Sequence, residues 1–239
     1  MRTLFAPKVR FGTGLQLYYN LNHGPYTSGK VFDYSRNGNT GTIVGALPAF
    51  PGFTFDGQND YIDTGATFQS TFRSNFSIGV WFKISDGQPS LSNVIFGSSI
   101  TDGNIVLYIT SDGYLDFQYV IGGDTARFTG NSPTLVNGQE DWHFAIVTGD
   151  PDVGGSGGLL VYMDGSLMGN TGADGDTSTV TFTDWTSTYN LFIGALSDAA
   201  PPPQNPYAGE IGEVMLYNKT LTAAEIKGLY QQTRRSYRI

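Results

Sequence analysis

The chain contains no cysteine. Disulfides and thiolate metal sites are excluded, and the composition fits either a cytoplasmic or an extracellular life. Charge is also scarce: only 14% of the 239 residues are charged, and 13 Lys and Arg stand against 21 Asp and Glu for a net charge of −8. A nucleic-acid partner needs a basic face, and anionic lipid attracts basic segments, so this balance argues against both. The basic residues sit mostly at the two ends, at Arg2, Lys8 and Arg10 and at Arg234, Arg235 and Arg238. They read either as solvated termini or as arms that dock on a larger assembly. No apolar run approaches the ~18–20 residues of a membrane span. Residues 1–14 lack the apolar core and small-residue cleavage site of a signal peptide, so the expectation is a product made in the cytoplasm and not exported by that route.

What is present is a β-forming alphabet. Gly numbers 32 and aromatics make up 14%, and with abundant Thr and Ser this favours strands and turns over helices. FSIGVWFKI at 76–84 alternates, with Ile78, Val80, Phe82 and Ile84 on one face and Gly79, Trp81 and Lys83 on the other. NIVLYIT (104–110) and YLDFQYV (114–120) flank Asp112-Gly113, a strong hairpin signal. WHFAIVT (142–148), LLVYM (159–163) followed by Asp164-Gly165, LFIG (191–194) and EIGEVMLY (210–217) complete the series. Residues 150–158 read as a long hairpin tip, and the Pro-rich stretch 199–206 as a stiff surface loop. The one good helix signal is Thr222-Ala223-Ala224-Glu225, a capping box, with Ile226, Leu229 and Tyr230 at helical spacing behind it. The expected fold is all-β: a two-sheet antiparallel jelly-roll sandwich with a short C-terminal helix. One domain spans 14–230, between an N-terminal arm (1–13) and a basic-aromatic tail (231–239).

Two glycine-bearing polar turns stand out, DYSRNGNTG at 33–41 and FDGQNDYI at 55–62. The first offers side-chain oxygens at Asp33, Ser35, Asn37 and Asn39, which suits a hard cation such as calcium. It equally suits a tight turn in which Asp33, Ser35 and Asn37 hydrogen-bond the backbone.

The order of these blocks resembles the laminin-G-like, pentraxin-like branch of the concanavalin A-like lectin/glucanase superfamily. It runs from GLQLYYNL (14–21) and FDYSRNGNTG (32–41) through FTFDG (53–57) with Asp60-Tyr61-Ile62, then FSIGVWFK (76–83), Trp142-His143-Phe144 and VYMDG (161–165). It ends on YAGEIGEV (207–214) with LYNKTLT (216–222). The tail LTAAEIKGLYQQTRRSYRI also resembles the ending of laminin-G-like proteins of tailed bacteriophages. The resemblance implies a virion structural or decoration protein. Its termini would dock on phage capsid or tail proteins, and its loops would bind a polysaccharide or host-surface glycan from the virion surface. A homo-oligomer is compatible with this. A free-standing carbohydrate-binding module is the alternative. In the family, calcium ligands come from the early turn and from a last strand of pattern G-x-I-D-E. Here that strand is Gly209-Glu210-Ile211-Gly212-Glu213, so Gly212 stands at the usual acid. Asp33, Asn37, Asn39, Asp60 and Glu213 remain as the calcium candidates.

Catalysis is not expected. Glycoside hydrolysis needs two carboxyls flanking the bond, and retaining members of the superfamily carry E-x-D-x-x-E or similar, which is missing here. Glu210 and Glu213 differ by an odd step and should face opposite ways. His143 reads as a strand-face histidine with one hydrogen bond. Trp81 and Trp142 read as core or sheet-covering residues. Trp185, in the polar loop 183–189, either anchors that loop or offers its ring to a sugar, with Asp184 and Tyr189 as hydrogen-bonding partners and Tyr207 as a second ring.

Overall fold

The structure is a computed structural model that describes residues 12–22, 28–98, 103–121, 124–130, 135, 140–153, 158–169, 181–197 and 203–238. In chain order the first strands are β1 (Leu15–Tyr19), β2 (Lys30–Val31), β3 (Gly41–Val44), β4 (Leu47–Ala49), β5 (Gly52–Asp56) and β6 (Tyr61–Asp63). A single helical turn, α1 (Gln69–Phe72), precedes β7 (Phe76–Ile84), β8 (Asn93–Ser98), β9 (Ile105–Ile109), β10 (Leu115–Ile121) and β11 (Asp124–Thr129). Then come β12 (His143–Gly149), β13 (Leu159–Met163), β14 (Ser166–Leu167), β15 (Phe192–Ile193), β16 (Ala208–Tyr217) and the helix α2 (Ala223–Thr233).

These strands make two eight-stranded antiparallel sheets. The first sheet runs β14-β13-β12-β7-β16-β5-β4, with β1 also paired to β16, and the second runs β11-β10-β9-β8-β15-β6-β3-β2. The expected all-β sandwich with one C-terminal helix is what forms. Period-2 alternation builds the core between the sheets. Ile78, Val80, Phe82 and Ile84 of β7 enter it beside Leu107, Phe117, Val147, Val161 and Leu216, all buried. Trp81 leaves by the opposite face. Both Asp-Gly hairpins form. In the β13–β14 turn Asp164 and Gly165 both have positive φ (51° and 80°), the left-handed pair that matches strand twist and that glycine adopts without strain.

Part of the outer face of the first sheet is covered. The capping box forms as read: Glu225 N–H donates to Thr222 Oγ1 (3.3 Å) and Thr222 N–H to Glu225 Oε2 (2.9 Å). It starts α2, which lays Ile226 and Leu229 on that face. A 3-10 turn, Arg234–Tyr237, continues it. Tyr237 stacks on Trp81 at 4.1 Å between centroids, and Trp81 Nε1 donates to Thr233 Oγ1 (2.8 Å). The boundary expected after residue 230 therefore falls inside a helix. Residues 231–237 are packed against the sandwich and do not hang free as a tail, because Thr233 and Tyr237 are buried. The N-terminal arm lies outside the described residues except for 12 and 13, as do His23 and residues 199–202 of the Pro-rich loop.

Candidate functional site

The calcium candidates are not brought together. Asp33 turns its carboxylate onto its own loop and its neighbour strand. Oδ1 accepts from Tyr18 N–H (3.0 Å) and Ser35 N–H (2.8 Å), and Oδ2 from Ser35 Oγ (2.8 Å) and Asn39 N–H (3.0 Å). The Asn37 and Asn39 amide nitrogens donate to the Gln16 carbonyl at 3.1 and 3.0 Å. The turn thus closes on itself. Asp60 accepts from Asp56 N–H (2.9 Å), and a Cβ at Gly45 would fall 1.8 Å from its Oδ1. Asp60 therefore serves the corner it sits in. Glu213 is buried under the C-terminal 3-10 turn. Among the described residues no three acidic or histidine side chains form a cluster fit for a metal. The donor set does not fit calcium: its carboxylates are spread over three places and the Asp33 oxygens are spent on N–H and O–H groups.

Glu213 lies in a pocket of its own. Asn22 Nδ2 approaches Oε1 at 3.5 Å and also donates to the Tyr237 hydroxyl (2.8 Å), which accepts Glu213 N–H as well (2.7 Å). Burial, only partly offset by the Tyr18 hydroxyl, pushes the Glu213 carboxyl up to about 8. Gly212 explains its departure from the family pattern here: a Cβ at this position would lie 2.2 Å from the Tyr237 hydroxyl. The strand also bulges at this point. Against β7, Ile211 opposes Phe82 and Val214 opposes Val80, one residue more on β16. Ile211 and Val214 both stay in the core, so Glu210 and Glu213 both leave by the outer face. The expectation of opposite faces from their odd spacing is corrected by that extra residue. They still make no acid pair. Glu210 faces Lys83 (3.5 Å), and Glu213 is covered by Tyr237. In the shallow cavity of about 360 Å³ beside Glu210, Asp56 is occupied by the Gln58 N–H (2.8 Å).

Two of the expected sugar-stacking rings are internal. Trp185 is fully buried, edge-on to Phe72 at 5.5 Å, and Tyr207 is fully buried against Phe55. Neither can offer a face to a ligand in solvent. Thr183, Asp184, Thr186 and Thr188 around Trp185 are exposed while Trp185 and Ser187 point inward, so the polar neighbours mark the outside of a loop pinned by its indole. Asp184 and half-buried Tyr189 remain at the surface without a ring to work with. His143 Nδ1 bonds Asp164 Oδ2 (2.9 Å) and makes no other hydrogen bond among the described residues, as a strand-face histidine would.

The structure instead assembles a site on the outer face of the second sheet. There Val94, Val106 and Leu196 form a small apolar cluster with Tyr108 packed against it. They floor a cavity of about 250 Å³ whose rim is made by Asn104, Tyr108, Gln118 and Asn205. Strand register fixes these groups. Asp116 of β10 lies between Tyr108 of β9 and Thr129 of β11, and Gln118 lies between Val106 and Arg127. Asp116 has no exposed surface yet is fully answered: Arg127 Nε donates at 2.9 Å and Thr129 Oγ1 at 3.0 Å. Gln118 Nε2 donates to the Tyr108 hydroxyl (2.7 Å). Burial and the Asp116 charge hold the Tyr108 hydroxyl far above the usual tyrosine range, so it stays protonated. Asn104 Oδ1 is buried with no hydrogen-bond partner among the described residues, and such an acceptor calls for an explanation. The result is an apolar floor ringed by amides and a hydroxyl, flanked by the Asp116–Arg127 ion pair. Nothing in the local sequence announces it, because its members come from separate strands.

The concanavalin A-like lectin/glucanase family model matches residues 56–227, well over half of the chain. The chain belongs to this superfamily. Solved structures similar to this superfamily member include the Trypanosoma rangeli sialidase in complex with sialic acid, at 17% identity and TM-score 0.67, covering 93% of this chain and 34% of that one. A structure described as a receptor binding domain aligns at 15% identity and TM-score 0.64, covering 92% and 51%. The binding domain of botulinum neurotoxin serotype D/C aligns at 14% identity and TM-score 0.63, covering 92% and 52%. The superfamily member thus spans about a third to a half of these chains, and identities this low speak for the fold alone. No curated protein sequence matches it.

Proposed function

We propose that the chain is a non-catalytic glycan-adhesion protein displayed on a bacteriophage virion, with the outer face of the second sheet as its binding surface. The cavity over Val94, Val106 and Leu196 carries this reading. Its apolar floor suits the CH face of a sugar ring, and its amide and hydroxyl rim suits the ring's hydroxyls. At about 250 Å³ it lies below the roughly 300–1,000 Å³ of drug-sized pockets, so it takes one ring of a longer chain. The resemblance of the C-terminal sequence to phage proteins supports the virion setting, and the likeness to structures described as binding domains supports adhesion. Docking on the particle would use residues 1–12 and the exposed Arg238.

A glycan array tests the binding half. Wild-type signal that falls at least tenfold in Tyr108→Ala and in Gln118→Ala supports the assignment, whereas no signal, or signal unchanged in both, removes it. Particle association after deletion of residues 1–12 tests the virion half. Array binding without any particle association would make the chain a free-standing carbohydrate-binding module.

A further inference from the structure

On the opposite side of the molecule, α2 and the β13–β14 turn enclose a third concavity of about 290 Å³. Lys227, Gln231, Arg234 and Arg235 line it. Lys227 and Gln231 lie one turn apart on α2, and Arg234 and Arg235 follow in the 3-10 turn that continues it. Three of the chain's 13 basic side chains thus line one groove of a protein with net charge −8. All three are exposed, and among the described residues none has a carboxylate within 4.0 Å. Lys83, Arg127 and Lys219 each have one. The acid that borders the groove, Asp164, is already occupied: Oδ2 faces His143 and Oδ1 accepts Phe144 N–H (2.9 Å).

The walls are firm. The Arg234 guanidinium sits 5.8 Å from the centre of the Tyr230 ring, and that ring is stacked on Trp81 at 5.7 Å. Gly165 leaves so little room that a Cβ there would meet Tyr230 Cδ1 at 3.2 Å. Two guanidinium forks and an ammonium, none ion-paired among the described residues and outnumbering the one carboxylate at the border, Asp164, are what a carboxylate, sulfate or phosphate group is recognised by. The acidic remainder of the surface repels an extended polyanion. The groove therefore suits a ligand that presents one charged group at a time.

We propose that this groove is a binding site for a single oxyanion group, separate from the cavity on the second sheet. The assignment stands whether or not that cavity binds a glycan. Amide NMR titrations with sulfate, phosphate and glucuronate, at constant ionic strength set with chloride, test it. Saturable shifts at Gly165, Ser166 and Gln231 are expected. They should weaken at least tenfold in the triple variant Lys227→Gln, Arg234→Gln, Arg235→Gln and partly in Lys227→Gln alone. The replaced side chains are exposed, so the variants keep the fold, and an unchanged far-UV spectrum checks this. Tighter binding of glucuronate than of sulfate would identify an acidic sugar as the source of the group; the reverse would identify a sulfate or phosphate ester. Non-saturable shifts, or shifts equal in wild type and the triple variant, would overturn the site.

Discussion

The two sheets share one core but treat their outer faces in opposite ways. On the first sheet, Trp81, Phe144, Met215 and Tyr217 point outward and are roofed by α2 and Tyr237. On the second, Val94, Val106 and Tyr108 point outward beside Asp116, Gln118 and Arg127, and no helix among the described residues covers them. The strand alternation is the same in both. What differs is the chemistry of the outward residues, and it decides which face becomes a second core and which stays open. A face of large rings recruits a cover; a face of small aliphatics and polar groups remains available to a ligand.

The contrast can be broken at its aromatic end first. Trp81→Ala removes the ring against which Phe144, Tyr230 and Tyr237 stack. Loss of about 3–5 kcal/mol in urea unfolding is expected, with α2 more open to proteolysis. A loss under about 1 kcal/mol would mean that the roof contributes little.

The buried acid beneath the roof comes next. The folded-state value of Glu213 lies above its unfolded value, so the folded protein keeps a proton that the unfolded chain gives up. Its contribution to stability should be fully present below about pH 4.5, fall as pH rises toward about 8, and level off above that, where both states are ionised. The size is on the order of a few kcal/mol, since each tenfold change in proton affinity is worth about 1.4 kcal/mol. Glu213→Gln should abolish this slope and be the more stable protein at pH 8. Parallel pH profiles for the two proteins would refute it.

On the open face, Arg127→Ala leaves Asp116 buried without its cation. Breaking a buried pair costs about 3–5 kcal/mol, reduced here to about 2 kcal/mol because the Arg127 side chain is 25% exposed. The variant should lose array binding together with stability. Asp116→Asn in the Arg127→Ala background should recover much of the stability, since no unpaired charge is then left. Smallest is Gly212→Ala, whose added methyl crowds the Tyr237 hydroxyl. About 1 kcal/mol is expected, and it should vanish only in a Tyr237→Ala background, because the ring carbons Cε1 and Cζ also lie 2.6 and 2.7 Å from the added methyl.

Local pattern is enough for the elements. β7 and β13 end where their alternation ends, and the Thr222–Glu225 box starts α2 as read. The core face of β7 is equally plain. The sites are less legible, for identifiable reasons. A bulge cannot be seen in EIGEVMLY itself, since it arises from pairing with β7, and it turns Glu213 to the unexpected side. Trp185 is easily misjudged by the company it keeps: its exposed threonines belong to the outside of a loop whose inside is the indole. The polar face of the second sheet depends on the register of β9, β10 and β11, and Asp116 meets Arg127 only once β10 and β11 are side by side.

Gly212 and Tyr237 are far apart in the chain and exclude each other's alternatives. With a tyrosine hydroxyl resting over the strand, no side chain fits at 212. An acid at 212, as in the family's G-x-I-D-E strand, would have to expel that ring. The pair therefore works as a two-letter signature: relatives with an acid at the first position should lack the tyrosine at the second, and relatives with glycine there should keep a C-terminal ring to sit on it. Chains carrying both an acid and the tyrosine would show the two to be compatible and dissolve the rule.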